Sequence, residues 1–258
     1  TAPPTDLGIK YDNATKILKH DNSTLNGELL LKTIHFLSDS ELVPPTVENI
    51  TKTYIKDLQT YYSDKPMVEK ALTLLVEAKI LLLSNNNYKI TSDLESKMLE
   101  EMKDFDVELY IKKRELTTYI KKTGLFSSVA SINDNDLAYK FNILTDLDDD
   151  ISPSTNRHLR LTAYSLFNIN GDRQDFVETI RMDTQYDKDL ITLVPNNAHF
   201  EEISKLIEEV RRYGFMEDKY SNDNDQNKRQ IIREFSIIKE EKEKNLLSRI
   251  QEAYATGS

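Results

Sequence analysis

Few residues in this chain stand at spacings that could do chemistry, and most of those that do are charged. Arg157, His158 and Arg160 open one apolar run, and Arg211-Arg212 close another. Arg157, Arg160, Arg211 and Arg212 together form a candidate anion- or partner-binding face, because guanidinium groups bind planar anions through several N–H donors at once. The plainer reading of Arg211-Arg212 is two cations set against the negative end of a helix dipole. Asp146, Asp148, Asp149 and Asp150 are dense enough to suggest a divalent-cation site, since hard cations take several carboxylate oxygens. A calcium loop also needs a glycine at its sixth position and a glutamate at its twelfth, and no register supplies both. Asn133-Asp134-Asn135-Asp136 and Asn222-Asp223-Asn224-Asp225 fail in the same way and read as turns or helix caps. His20, His35, His158 and His199 stand at no metal-ligand spacing, and His35 lies inside an apolar run as a core histidine would. No catalytic residue, cofactor site or metal site is expected.

Composition narrows the choice further. Among 258 residues there are 6 glycines, no two of them spaced for a phosphate-cradling loop or a nucleophile elbow. The absence of cysteine removes disulfides, thiolate metal sites and thiol catalysis, and fits a reducing cytoplasm. A net charge of -10 makes a poor general ligand for nucleic acid or anionic membrane. No apolar run approaches the ~20 residues of a membrane span. The chain starts Thr1-Ala2-Pro3-Pro4 without Met or a signal core, and is expected to be a piece of a longer protein.

The elements that must position these residues follow from hydrophobic spacing. Residues 1–26 are polar and Pro-containing and read as a linker or disordered arm. Residues 27–38 form an apolar run expected as a buried helix. Thr46 caps a second helix through Ile50 and Tyr54, and Ser63 or Asp64 caps a third with Pro66 in its first turn. Ile80-Leu81-Leu82-Leu83, Ser84-Asn85-Asn86-Asn87 and Tyr88-Lys89-Ile90-Thr91 then read as strand, turn and strand. Three helices followed by a two-stranded wing is the order of a winged-helix module, placed at 27–95. Between Glu28 and Glu95 this module has 10 acidic residues against 7 lysines and no arginine, so the commonest guanine readout is unavailable to it.

Residues 96–123 continue as a connecting helix with a slip in its apolar face near Phe105. From Gly124 strands are expected at 125–126, 137–144, 159–167, 176–182 and 190–195, with Asn197 opening a helix and a long amphipathic helix at about 225–254. The second domain, 124–255, is thus α+β and closed by C-terminal helices. The chain as a whole is expected to be α+β and helix-rich.

The order of several motifs resembles one family. Tyr139-Lys140-Phe141-Asn142 precedes a Leu190-Ile191-Thr192-Leu193-Val194-Pro195 strand and a helix ending Glu209-Val210-Arg211-Arg212-Tyr213. Gln226-Asn227-Lys228-Arg229-Gln230-Ile231-Ile232-Arg233-Glu234 and a charged helix follow. With Leu42-Val43-Pro44-Pro45-Thr46-Val47-Glu48-Asn49-Ile50 upstream, the series resembles the region downstream of the ATPase core in BrxC-type large P-loop ATPases of BREX phage-resistance systems. The likeness spans most of 27–253. The chain departs from it at Glu208-Glu209-Val210-Arg211-Arg212, where the family tends to carry a Lys-Thr-Glu-Lys run.

The resemblance implies a parent that hydrolyses ATP, blocks phage replication and marks host DNA, with its nucleotide site N-terminal to this region. It implies a non-catalytic assembly or relay segment whose partners are proteins: its own ATPase core, other defence subunits and a further copy of the parent. Two other readings stand beside it. One is a winged-helix DNA-binding or regulatory module, and the other a hydrolase whose pocket would gather Arg157, His158 and the Asp146–Asp150 run.

Overall fold

The computed structural model describes residues 5–40, 42–125, 131–134, 137–145, 159–169 and 171–257. The fold is helix-rich α+β. The chain divides into two compact units. The first comprises Thr1–Phe105 with Tyr213–Ile238, and the second Asp106–Arg212 with Lys239–Ser258.

The first unit begins with a correction. Residues expected as a linker contain helix α1, Thr5–His20, whose Tyr11, Ala14 and Leu18 are buried. Their spacing puts all three on one stripe, diluted by enough Asp, Asn and Lys to hide it from composition. Gly27 opens α2 (Gly27–Ser40) at the closest approach to α1, where a Cβ would stand 2.6 Å from the Ala14 carbonyl carbon. Helix α2 buries Leu30, Leu31, Ile34 and Leu37 but leaves Leu29 and Phe36 exposed, so the apolar run is not buried all round.

Thr46 caps α3 (Val47–Tyr54) by accepting the Asn49 N–H, as its position predicts. Helix α4 (Tyr61–Glu77) starts earlier than Ser63 or Asp64 would allow. A 3-10 turn capped by Asp57 runs straight into it, and Pro66 falls inside the helix rather than in its first turn. The Tyr62 carbonyl loses its helical donor there, at a residue open enough for water to replace it. The helix ends in a Schellman motif, with Lys79 N–H on Val76 O, Ile80 N–H on Leu75 O, and Lys79 at φ 62°.

Strands β1 (Leu81–Ser84) and β2 (Asn87–Ile90) form an antiparallel hairpin. Asn85 and Asn86 take φ 49° and 61°, as a two-residue turn with both central residues left-handed requires. The pleat divides the hairpin. Leu81, Tyr88 and Ile90 face the core of α1–α4, while Leu82 faces a second core. That second core contains Met98, Leu99 and Met102 of α5 (Asp93–Asp104). It also contains Tyr213 and Met216 of α8 (Phe200–Tyr220), and Ile231, Phe235 and Ile238 of α9 (Gln226–Ala255).

The single connecting helix expected at 96–123 is two helices. Helix α5 stops at Asp104, Phe105 turns extended, and α6 (Leu109–Lys122) begins after it. The slip at Phe105 is the point where the apolar face changes allegiance, because α5 feeds the first unit's core and α6 the second's. The two units divide between Phe105 and Asp106, inside the segment expected to connect the modules, and α8 and α9 each contribute residues to both.

The second unit holds a four-stranded sheet in the order β3-β4-β5-β6, from β3 (Ser131–Asp134), β4 (Leu137–Thr145), β5 (Leu159–Ala163) and β6 (Leu190–Leu193). β3 and β4 are antiparallel, and β4, β5 and β6 run parallel. The strand expected at 176–182 is instead helix α7 (Arg173–Thr184), capped by Asp172. A parallel β5–β6 pair needs a crossover of a dozen or more residues, and Phe176, Val177 and Ile180 already stand at helical spacing. The apolar stretch expected as strand to 167 leaves the sheet at Ala163. The core gathers Leu116 and Ile120 of α6, Ala163 of β5, Ile203 and Ile207 of α8, and Leu246 and Ile250 of α9.

Candidate functional site

The first unit has helices and hairpin in the order of a winged-helix module, in which α4 and the hairpin hold the positions that would meet nucleic acid. The outward side of α4 presents Tyr62, Met67, Glu69, Lys70, Thr73 and Glu77. Lys70 is paired with Asp21, and Lys65 lies 3.7 Å from Glu69. The face therefore offers apolar and acidic groups where a groove-reading helix would carry free cations. At its N-terminal end a groove of about 520 Å³ is lined by Glu48, Lys52, Leu58, Tyr61, Tyr62 and Lys65. Tyr61 and Tyr62 meet edge to face at 5.3 Å, and the Lys52 ammonium sits 5.8 Å from the Tyr61 ring centre. Leu58 and Tyr62 are strongly exposed.

The hairpin's second face is closed. Leu82 lies in the second core, and its cross-strand partner Lys89 carries a charge network. The Lys89 Nζ donates to Glu95 Oε1 at 2.9 Å and to Glu234 Oε2 at 2.8 Å. Glu95 is 1% exposed and is the third helical residue of α5. Its Oε2 accepts the Ser92 N–H at 2.6 Å, and its own N–H donates to Ser92 Oγ, a complete capping box.

Burial alone pushes the Glu95 carboxyl up. The Ser92 N–H and the Lys89 ammonium outweigh that and hold it below the ordinary carboxylate value. Burial likewise works to lower Lys89, and the hydrogen bonds to Glu234 and Glu95 reverse it, leaving the ammonium raised. A cavity of about 270 Å³ opens beside this cluster, lined by Lys89, Ser92, Leu94, Asn227, Gln230, Ile231 and Glu234.

In the second unit the candidate anion face is committed elsewhere. Arg157 lies outside the described residues. Arg160, exposed on β5, is paired with Asp187. Arg211 lies 3.5 Å from Glu115, and Arg212 is 2.8 Å from Glu208. The three described arginines thus sit on two elements, each engaged by its own carboxylate. Glu208 also accepts from Lys112. Burial raises its carboxyl, and Lys112 with Arg212 brings it below the ordinary value. Tyr119 donates to Glu243 at 2.7 Å, and burial followed by that carboxylate pushes its phenol up.

Open α/β sheets bind ligands beyond the C-terminal ends of parallel strands. Here that edge is filled at β5 and β6. Tyr254 donates to the Tyr164 carbonyl at 2.9 Å, Asn196 N–H to Ala253 O at 2.9 Å, and Arg173 to the carbonyls of Pro195 and Val194 at 2.8 and 3.0 Å. Gly257 lies where a Cβ would come within 2.8 Å of Val194 O.

The remaining candidates resolve simply. His35 is not a core residue but half exposed, 3.6 Å from Asp39. His199 lies between Glu202 and Glu252 at 3.4 and 3.5 Å. Asp225 caps α9 by accepting the Asn227 N–H, and Asp223 accepts from Lys228. His158, Asn135-Asp136 and the Asp146–Asp150 run lie outside the described residues. Among the described residues no group of three or more acidic or histidine side chains is arranged to hold a metal ion. No helix among them is long and apolar enough to cross a membrane.

Sequence reasoning missed the Lys89 cluster and the filled sheet edge. The Ser92-x-x-Glu95 spacing was a readable capping-box signal, but Glu234 is 145 positions from Lys89. No family model, curated protein or solved structure matches this chain.

Proposed function

We propose that this chain is a non-catalytic assembly and relay region of a BREX-type phage-defence P-loop ATPase, acting in the cytoplasm on protein partners and carrying no cofactor of its own. The family reading rests on the motif order from Tyr139-Lys140-Phe141-Asn142 to the closing charged helix. The preference for protein over DNA rests on one structural observation. The two surfaces a winged-helix reader uses are an α4 face without a free arginine and a hairpin whose second face is covered by α5 and α9. DNA affinity comes mostly from cations meeting phosphates, and this module has few to spare.

Two measurements test the reading. ATP turnover by the isolated chain is expected to be nil, and turnover that follows the purified chain overturns the non-catalytic assignment. Titration with duplex DNA is expected to show weak binding. Tight binding that falls steeply with added salt would establish the winged-helix DNA-binding alternative instead.

A further inference from the structure

The covered face of the hairpin is fastened by one lysine shared between two carboxylates. We infer that Lys89 is a charge-operated clasp by which residues 226–238 of α9 close over that face, with Glu95 as its fixed arm and Glu234 as its releasable one.

The two arms differ in burial and in anchorage. Glu95 is almost wholly buried and is held by Ser92 as well as by Lys89. It cannot turn to solvent without unmaking the start of α5. The Glu234 side chain keeps 28% of its surface in solvent and borders the open cavity, so water and ions reach it directly. One ammonium serves two carboxylates, which leaves the cluster one negative charge in excess. The exposed arm can take that excess into water; the buried arm cannot. The groups facing Lys89 are Ser92 and Glu95 of the α5 start and Asn227, Gln230 and Glu234 of α9. Asp93, at the same start of α5, pairs with Lys10 at 3.6 Å.

Releasing the clasp has a defined consequence. Ile231, Phe235 and Ile238 of α9 share a core with Leu82, Met98, Leu99 and Met102. Loosening residues 226–238 takes Ile231, Phe235 and Ile238 off Leu82, Met98, Leu99 and Met102.

Hydrogen exchange on the intact chain tests this with three variants. Glu234→Gln removes the releasable arm and leaves the Lys89–Glu95 pair in place. Lys89→Gln removes the clasp, and Lys89→Arg restores the charge. The account expects exchange at 226–238 to quicken about tenfold in Glu234→Gln and more in Lys89→Gln. Lys89→Arg should stay near wild type, and α1 and α4 should be unchanged throughout. If Lys89→Gln fails to fold, the Glu234→Gln result decides alone. Exchange that quickens equally in α1, α4 and 226–238 would make the cluster a general stabiliser and overturn the clasp, as would no change in Glu234→Gln.

Discussion

The hairpin of the first unit and the parallel sheet of the second are each closed by a stretch of α9, and they are closed by different physics. At the hairpin, residues 226–238 meet Leu82 through apolar contact and fasten through the Lys89–Glu95–Glu234 charges. At the sheet edge, the end of α9 fastens through the Tyr254 hydroxyl on the Tyr164 carbonyl and through the Asn196 N–H on the Ala253 carbonyl. Neutral hydrogen bonds respond little to pH or salt. A cation shared between a buried and an exposed carboxylate responds to both. The first closure is therefore adjustable and the second is a fixture.

The strongest way to break this comparison is to remove the apolar half of the hairpin closure. Phe235→Ala deletes a fully buried ring and should cost about 3–5 kcal/mol in denaturant unfolding of the first unit. A loss below about 1 kcal/mol would mean that the core around Leu82 is not the main contact. Lys89→Gln comes next. Stranding the buried Glu95 charge would cost several kcal/mol in a dry site, but Lys89 is half exposed, so about 1–3 kcal/mol is expected.

Acid sharpens the contrast. The Glu95 pKa is depressed in the fold, so its contribution is present above the unfolded value and is lost as pH falls through the lower folded one. The raised Lys89 pKa contributes below the ordinary lysine value and is lost only above it, so neutral pH lies on the plateau. Stability of the first unit should therefore fall below the ordinary carboxylate range, and Lys89→Gln should flatten that dependence. Tyr254→Phe removes one neutral hydrogen bond and should cost about 1 kcal/mol, equally at low and high salt. The smallest effect is a gain. Lys79→Gly relieves a left-handed lysine at the Schellman position and should add about 0.5–1 kcal/mol to thermal stability.

Local signals were legible in the sequence and long-range ones were not. Thr46 as a cap, the Asn85-Asn86 turn and the α9 limits follow from neighbours within a few residues. Helix α1 escaped because its stripe is narrow and set in polar residues, and α7 escaped because Val177 and Thr179 favour strands. The site itself was the least legible part. Arg160, Arg211 and Arg212 stood out by type, yet their carboxylate partners decide their role. Lys89, whose partners lie on α5 and α9, looked like any strand lysine until the chain was folded.

The account's central claim is that α4 and the hairpin are not a nucleic-acid surface. Hydrogen exchange of the intact chain, with and without saturating duplex DNA at low salt, tests it most directly. The account predicts no added protection across α4, β1 or β2. Protection appearing there and fading as salt is raised would contradict it.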